Sequence, residues 1–107
     1  MIVVTTPDVS GTEISGVLGM VRGSSIRSKH VGKDIIAMFR NFAGGEIHEY
    51  TKMLAQAREQ AVDRMVEEAQ VLGADAVVAV RFQTSMVMSG AAEMLCYGTA
   101  VNLVDAD

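Results

Sequence analysis

Residues 44–82 read GGEIHEYTKMLAQAREQAVDRMVEEAQVLGADAVVAVRF, and this stretch decides the fold. Gly44-Gly45 breaks the chain. From about Glu46 to Leu72 no proline or glycine interrupts an amphipathic pattern. That predicts a helix of roughly 40 Å at about 1.5 Å per residue. Glu46 and Glu49 put negative charge at its positive end, and Gly73 stands where a left-handed residue would stop it. The run 76–82 then carries Val77, Val78 and Val80, the pattern of a strand covered on both faces.

Outward from there, 84–90 reads as a loop carrying Met86 and Met88. Segment 92–103 alternates, with Leu95, Tyr97, Val101 and Leu103 on one face and Met94, Cys96 and Ala100 on the other. On the N-terminal side, 34–42 spaces Ile35, Met38, Phe39 and Phe42 as a short helix, and 24–32 is a polar loop. Segment 13–22 reads as a strand whose Gly16 and Gly19, with Gly23 just beyond, mark bulges or close backbone approach. Residues 1–5 are a β-branched run ending at Thr6-Pro7, where proline removes a ladder donor. The order β-β-α-α-β-β predicts an α+β domain over residues 1–107. One long and one short helix would pack on a mainly antiparallel sheet. The helical crossover suggests that the second and third strands are parallel neighbours.

The long helix carries more apolar surface than one sheet face needs. Tyr50, Met53, Leu54, Ala57, Ala61, Met65 and Leu72 form one stripe; Ala55, Val62, Val66 and Ala69 form a second beside it. Lys52, Gln56, Glu59, Asp63, Glu67 and Gln70 make the wet face. The second stripe wants a partner: either the short helix or a sister subunit. Arg58, Arg64 and Glu68 intrude into the apolar arc, and Arg64 and Glu68, four apart, are spaced to pair.

The 107-residue chain is half apolar, with 21% charged residues, and is long enough for a real core. Aromatics are scarce and tryptophan is absent, so that core must be aliphatic and methionine-rich. A net charge of −4 with scattered Lys and Arg disfavours nucleic acid. The single cysteine, Cys96, cannot form an internal disulfide, and no signal peptide is read at the start; both suit a cytoplasmic location. No apolar run approaches the ~20 residues of a membrane span.

Chemistry-bearing residues are dispersed. Candidate metal donors are Cys96, His30 and His48, with methionine sulfur as a soft supplement. No Cys-x-x-Cys or His-Glu-x-x-His spacing joins them. Nothing local links either histidine to a nucleophile, so catalysis is not indicated. Arg22, Glu46, Tyr50, Arg58, Arg81 and Glu93 are the polar groups that could line a ligand pocket. Arg81 leads them, because it ends an otherwise apolar run where a buried charge would need a partner; the alternative is that it points to solvent.

Several segments together resemble the YbjQ-like family, an uncharacterised group labelled "putative heavy-metal-binding". They are Thr5-Thr6-Pro7, Gly19-Met20-Val21-Arg22-Gly23, Gly44-Gly45-Glu46, Tyr50, Leu54 with Ala57-Arg58, Leu72-Gly73-Ala74-Asp75-Ala76-Val77-Val78, and Gly98-Thr99-Ala100-Val101. The likeness spans nearly the whole chain. It implies a dodecin-like α+β subunit that assembles with copies of itself into a ring, with five as the expected number. The metal label implies a heavy-metal ion but places no ligand motif on this chain. The expectations are a cytoplasmic homo-oligomer that binds a metal ion or small ligand between subunits. The alternatives are an enzyme or carrier with an inter-subunit pocket, and a structural ring acting through protein partners.

Overall fold

Alternating β-branched residues on either side of one helical period produce a sheet with a helix laid across it. The computed structural model describes residues 1–27, 46–88 and 91–107. These form β1 (Ile2–Val3), β2 (Thr12–Arg27), α1 (Glu46–Val71), β3 (Ala76–Met88) and β4 (Ala91–Asp105). The strands make one mixed sheet in the order β1-β3-β4-β2. β4 is antiparallel to both its neighbours, and β1 runs parallel to β3. The class is α+β, as expected.

Three expectations need correction. β2 and β3 are not neighbours, because β4 lies between them; sequence-adjacent β3 and β4 pair directly, and β2 takes β4's other edge. The loop expected over 84–90 is strand through Met88, so Met86 and Met88 belong to β3. The polar stretch after Arg22 continues β2 as far as Arg27. Polar alternation in these two stretches marks strand faces, not loops. The short helix expected over 34–42 lies outside the described residues.

α1 ends as Gly73 predicts. Gly73 adopts φ +78°, its N–H donates to Gln70 O, and the Ala74 N–H donates to Ala69 O, the paired bonds of a Schellman stop. The next residue carries the chain into the sheet: Asp75 Oδ2 accepts from the Leu103 N–H at 2.9 Å and from Asn102 Nδ2 at 3.3 Å. Asn102 Nδ2 also donates to Gly73 O at 2.9 Å. The Leu-Gly-Ala-Asp-Ala-Val-Val segment is therefore a device for stopping the helix and registering β3 against β4.

Two apolar layers result. Between α1 and the sheet lie Val21, Ala57, Ala61, Met65, Ala69, Val77, Val80, Met94, Cys96 and Ala100. Ala69, assigned by sequence spacing to the second helical stripe, belongs to this core. Ala55, Val62 and Val66 are half-buried. On the opposite face Ala76, Val78 and Val101 are covered by Val4, Val9 and Leu103 as the N-terminal segment crosses beneath the sheet. The helix lies so close to β2 that a Cβ on Gly23 would press on Ala61 O and stand 2.5 Å from Met65 N. That close approach confirms one of the two roles expected for the β2 glycines. The other role appears as register shifts at Ile14/Gly16 and Val17/Gly19.

A bulge in β3 reconciles the two layers. Val78 pairs with Thr99 but Arg81 pairs with Tyr97, so Ala79 and Val80 together oppose Gly98. Ala79 holds φ +55°, unusual for a residue with a Cβ, and its N–H donates to Thr6 O at 2.8 Å. The bulge inverts the alternation: Val77 and Val80, three apart, both enter the helix-side core.

Candidate functional site

Alternation along each strand sorts the expected site residues onto two faces. Gly23, Cys96 and Phe82 share a rung and point toward α1. One position earlier on β2 and β3 and one later on β4, Arg22, Tyr97 and Arg81 share the neighbouring rung and point away from it. The sheet thus brings Arg22 and Arg81 to either side of one tyrosine. Adjacent strands sit about 4.8 Å apart, so the two arginine Cα atoms are separated by roughly 10 Å with the phenol between them.

Arg22 and Arg81 are exposed and Tyr97 is 36% accessible. Of the two readings the sequence left open for Arg81, the exposed one is what the structure has. Its guanidinium is nevertheless held: Nη1 donates to Thr5 O at 2.9 Å and to Val80 O at 2.8 Å. Ser24, Leu95 and Gln83 form the next rung on this face, and Ile26, Glu93 and Ser85 the one beyond. Glu93 is on the same face but four residues along β4 from Tyr97, about 13 Å away.

Arg58 is elsewhere. With Ala55, Glu59, Val62, Asp63 and Phe82 it lines an open groove of about 640 Å³ on the helix side, above β3. Arg64, spaced in sequence to pair with Glu68, donates from Nη1 to Ser24 O on β2. Glu46, His48 and Tyr50 lie in the opening turns of α1, and their side chains, like all of His30, fall outside the described residues. Arg22, Arg81 and Glu93 are thus gathered on one face, and Arg58 is separated from them by the thickness of the sheet. Tyr97 was missed because its alternation with Leu95 and Val101 reads as core; its pairing with two arginines requires the strand register.

The residues around Cys96 do not fit a heavy metal. Its side chain is fully buried, and burial pushes the thiol up from its ordinary value, against the smaller opposite effect of a backbone hydrogen bond from Gly23. A metal-binding sulfur must be a thiolate. The neighbouring soft atom, Met94 Sδ, accepts a hydrogen bond from Thr84 Oγ1 at 3.3 Å. Among the described residues no cluster of three or more His, Cys, Asp or Glu side chains could hold an ion. Cys96 is a small buried apolar residue of the helix–sheet layer. No described helix is long and apolar enough to cross a membrane.

Comparison with known proteins places this architecture. A UPF0145 protein of Methanosarcina acetivorans is 59% identical over 105 residues, covering 98% of this chain and 99% of its own. A UPF0145 protein of Clostridioides difficile is also 59% identical, over 98% of this chain and 94% of its own. In three dimensions the chain is similar to a Pediococcus pentosaceus protein of unknown function from the DUF74 family, with a TM-score of 0.66. That match covers 97% of this chain and 98% of the other at 18% identity, a likeness of fold alone. A family model described as "putative heavy-metal-binding" matches residues 1–104. The chain belongs to the YbjQ-like family, whose members include the UPF0145 proteins.

Proposed function

We infer that this protein works as a homo-oligomeric ring in the cytoplasm, a scaffold rather than a catalyst, built by head-to-tail addition of subunits. The observation that carries this reading is a pair of sheet edges that are open, and a groove that is uncovered, among the described residues. Among the described residues β2 is the terminal strand of the sheet for all 16 of its residues. β1 pairs with β3 only at Ala76 and Val77, so β3 from Arg81 onward has no strand beyond it among the described residues. Exposed edges of this length invite pairing with another chain.

The two edges match. β2 and β3 are both antiparallel to β4, hence parallel to each other, so a copy rotated about the strand direction can set its β3 beside the first copy's β2. Such a contact is heterologous, and it forms a ring when the rotation between successive copies closes. α1 lies mainly over β2 and β4, leaving Phe82 of β3, 47% accessible, with no roof of its own. In the ring the neighbour's helix comes to the open side of the Val62–Phe82 groove. The subunit's shape agrees: its radius of gyration is 17.3 Å, against about 13 Å for a globule of this length. Five copies is the expected number from the family resemblance. Binding of a small ligand would take place on surfaces the ring encloses; the donor set around Cys96 argues against a heavy metal there.

Native mass spectrometry tests this directly. The wild-type protein should give a closed oligomer and Val62→Glu, which places a charge in the groove, should give monomer. A wild-type chain that stays monomeric at micromolar concentration ends the proposal.

A further inference from the structure

We propose that the Arg22–Tyr97–Arg81 rung is a binding site for the phosphate group of a small molecule. The first argument is charge. The protein carries a net charge of −4, yet two guanidinium groups are placed on one rung of the sheet, either side of a phenol. The same-face rung on one side holds Met20, Thr99 and Val78, and that on the other holds Ser24, Leu95 and Gln83. Neither contains a carboxylate. Two cations whose adjoining rungs hold no carboxylate among the described residues match a dianion better than they match each other.

The second argument is geometry. The arginine Cα atoms stand about 10 Å apart across two strand spacings. Both side chains are long enough to reach inward over the Tyr97 ring, so their planar donor forks can converge on one tetrahedral group. The Tyr97 hydroxyl supplies a further donor between them. Arg81 is partly fixed in advance: one terminal nitrogen is tied to Thr5 O and Val80 O, leaving Nε and Nη2 outside any hydrogen bond among the described residues.

The third argument is the bulge. Without the extra residue in β3, the period-two alternation would turn Arg81 to the helix side of the sheet and Val80 out of the core. Ala79 accepts a left-handed φ of +55°, and the result puts Arg81 in line with Tyr97 and Arg22. Bulges that re-aim a side chain in this way recur beside binding sites.

The site does not require the ring proposed above. The test therefore separates the two ideas by measuring assembly mass alongside binding. Inorganic phosphate and phenyl phosphate are titrated against the intact protein by calorimetry, with acetate and chloride at equal ionic strength as controls. The expected result is saturable binding of both phosphates, tighter than acetate by at least tenfold. Arg22→Gln and Arg81→Gln should each weaken phosphate at least tenfold, and Tyr97→Phe by severalfold, with the oligomer mass unchanged. Arg22→Lys keeps the charge, loses the two-pronged donor, and should fall between wild type and Arg22→Gln, so it serves if the glutamine variants fold poorly. Equal affinity in wild type and Arg22→Lys or Tyr97→Phe, or no saturable phosphate binding in the wild type, overturns the assignment. Loss of oligomer in Arg22→Gln without any phosphate effect in the wild type also overturns it, by showing that the arginines pair with a sister subunit's carboxylates. A monomeric wild type that still binds phosphate would sink the ring and leave the site standing.

Discussion

Gly23→Ala should damage this protein far more than its single added methyl suggests. A Cβ at position 23 would press on Ala61 O, lie 2.5 Å from Met65 N and reach within 3.0 Å of Arg64 Cβ. The first two are backbone atoms of α1 and cannot rotate aside, so the helix must lift. A gap of about 1 Å forfeits between a quarter and a half of the dispersion attraction across a packed layer. The layer opened here contains the fully buried Val21 and Met65, each worth about 1.5–3 kcal/mol of burial, together with Ala57, Ala61 and Ala69. Losing that fraction comes to about 1–3 kcal/mol, the range that overpacking usually costs.

Urea unfolding at one fixed protein concentration measures the effect, since assembly makes apparent stability concentration-dependent. Reaction of Cys96 with a thiol reagent under native conditions gives a second readout: Cys96 is the β4 residue paired with Gly23, and its sulfur is sealed by the same layer. The variant's thiol should react much faster than the wild type's. Gly16→Ala is the control, because a Cβ there meets nothing nearer than Asn102 Oδ1 at 4.0 Å. If Gly23→Ala unfolds within about 0.5 kcal/mol of Gly16→Ala, the range of ordinary surface substitutions, the close helix–strand contact is not what holds this layer.

Two other outcomes follow from the same layer. Ser25 is buried and its hydroxyl donates to Gln60 Oε1 at 2.7 Å, so Gln60→Leu should cost about 1–3 kcal/mol by stranding that hydroxyl, and adding Ser25→Ala should recover most of the loss; a double variant no more stable than the single one refutes the pairing. Burial raises the Cys96 thiol, so the folded protein holds that proton more tightly than the unfolded chain does. The stability this provides is complete below the unfolded thiol's value near about 8.5 and is lost as pH rises through the higher folded value. Cys96→Ala should flatten the alkaline fall in melting temperature, and an identical slope in both proteins would mean the thiol does not titrate differently on folding.

The sequence announced α1 and its stop almost to the residue, because a 3.6-residue period and a left-handed glycine are local facts. It announced the faces of β4 as well: Met94, Cys96 and Ala100 lie toward the helix as their alternation requires. It understated β2 and β3, where Ser24, Ser25, Gln83, Thr84 and Ser85 look like loop but alternate within strands. A polar residue on an open sheet face and one in a loop have the same composition; only the partner strand tells them apart. The order of strands was beyond reach for a related reason, since β4's place between β3 and β2 is a long-range choice. The candidate site was half legible. Arg22, Arg81 and Glu93 stood out as charges in apolar strands, but Tyr97 acquires meaning only from cross-strand register.

The Ala79 bulge shows why packing and site cannot be considered separately here. A left-handed residue with a Cβ costs on the order of 1–3 kcal/mol unless its surroundings over-determine it. Here they do: the Ala79 N–H is held by Thr6 O and the Val80 N–H by Val4 O, so the N-terminal segment clamps the bulge from below. Gly98, opposite, leaves the room it needs; a Cβ there would stand 2.7 Å from Val77 Cγ1 and 3.0 Å from Val80 Cγ2. One shift in register thus puts Val77 and Val80 together in the core and turns Arg81 toward Tyr97 and Arg22. A strand without the shift would point Val77 and Ala79 into the core and put Arg81 opposite Cys96, in the place Phe82 now holds at the groove. The tilt of charge onto the open face is therefore built into the same contacts that hold the helix to the sheet.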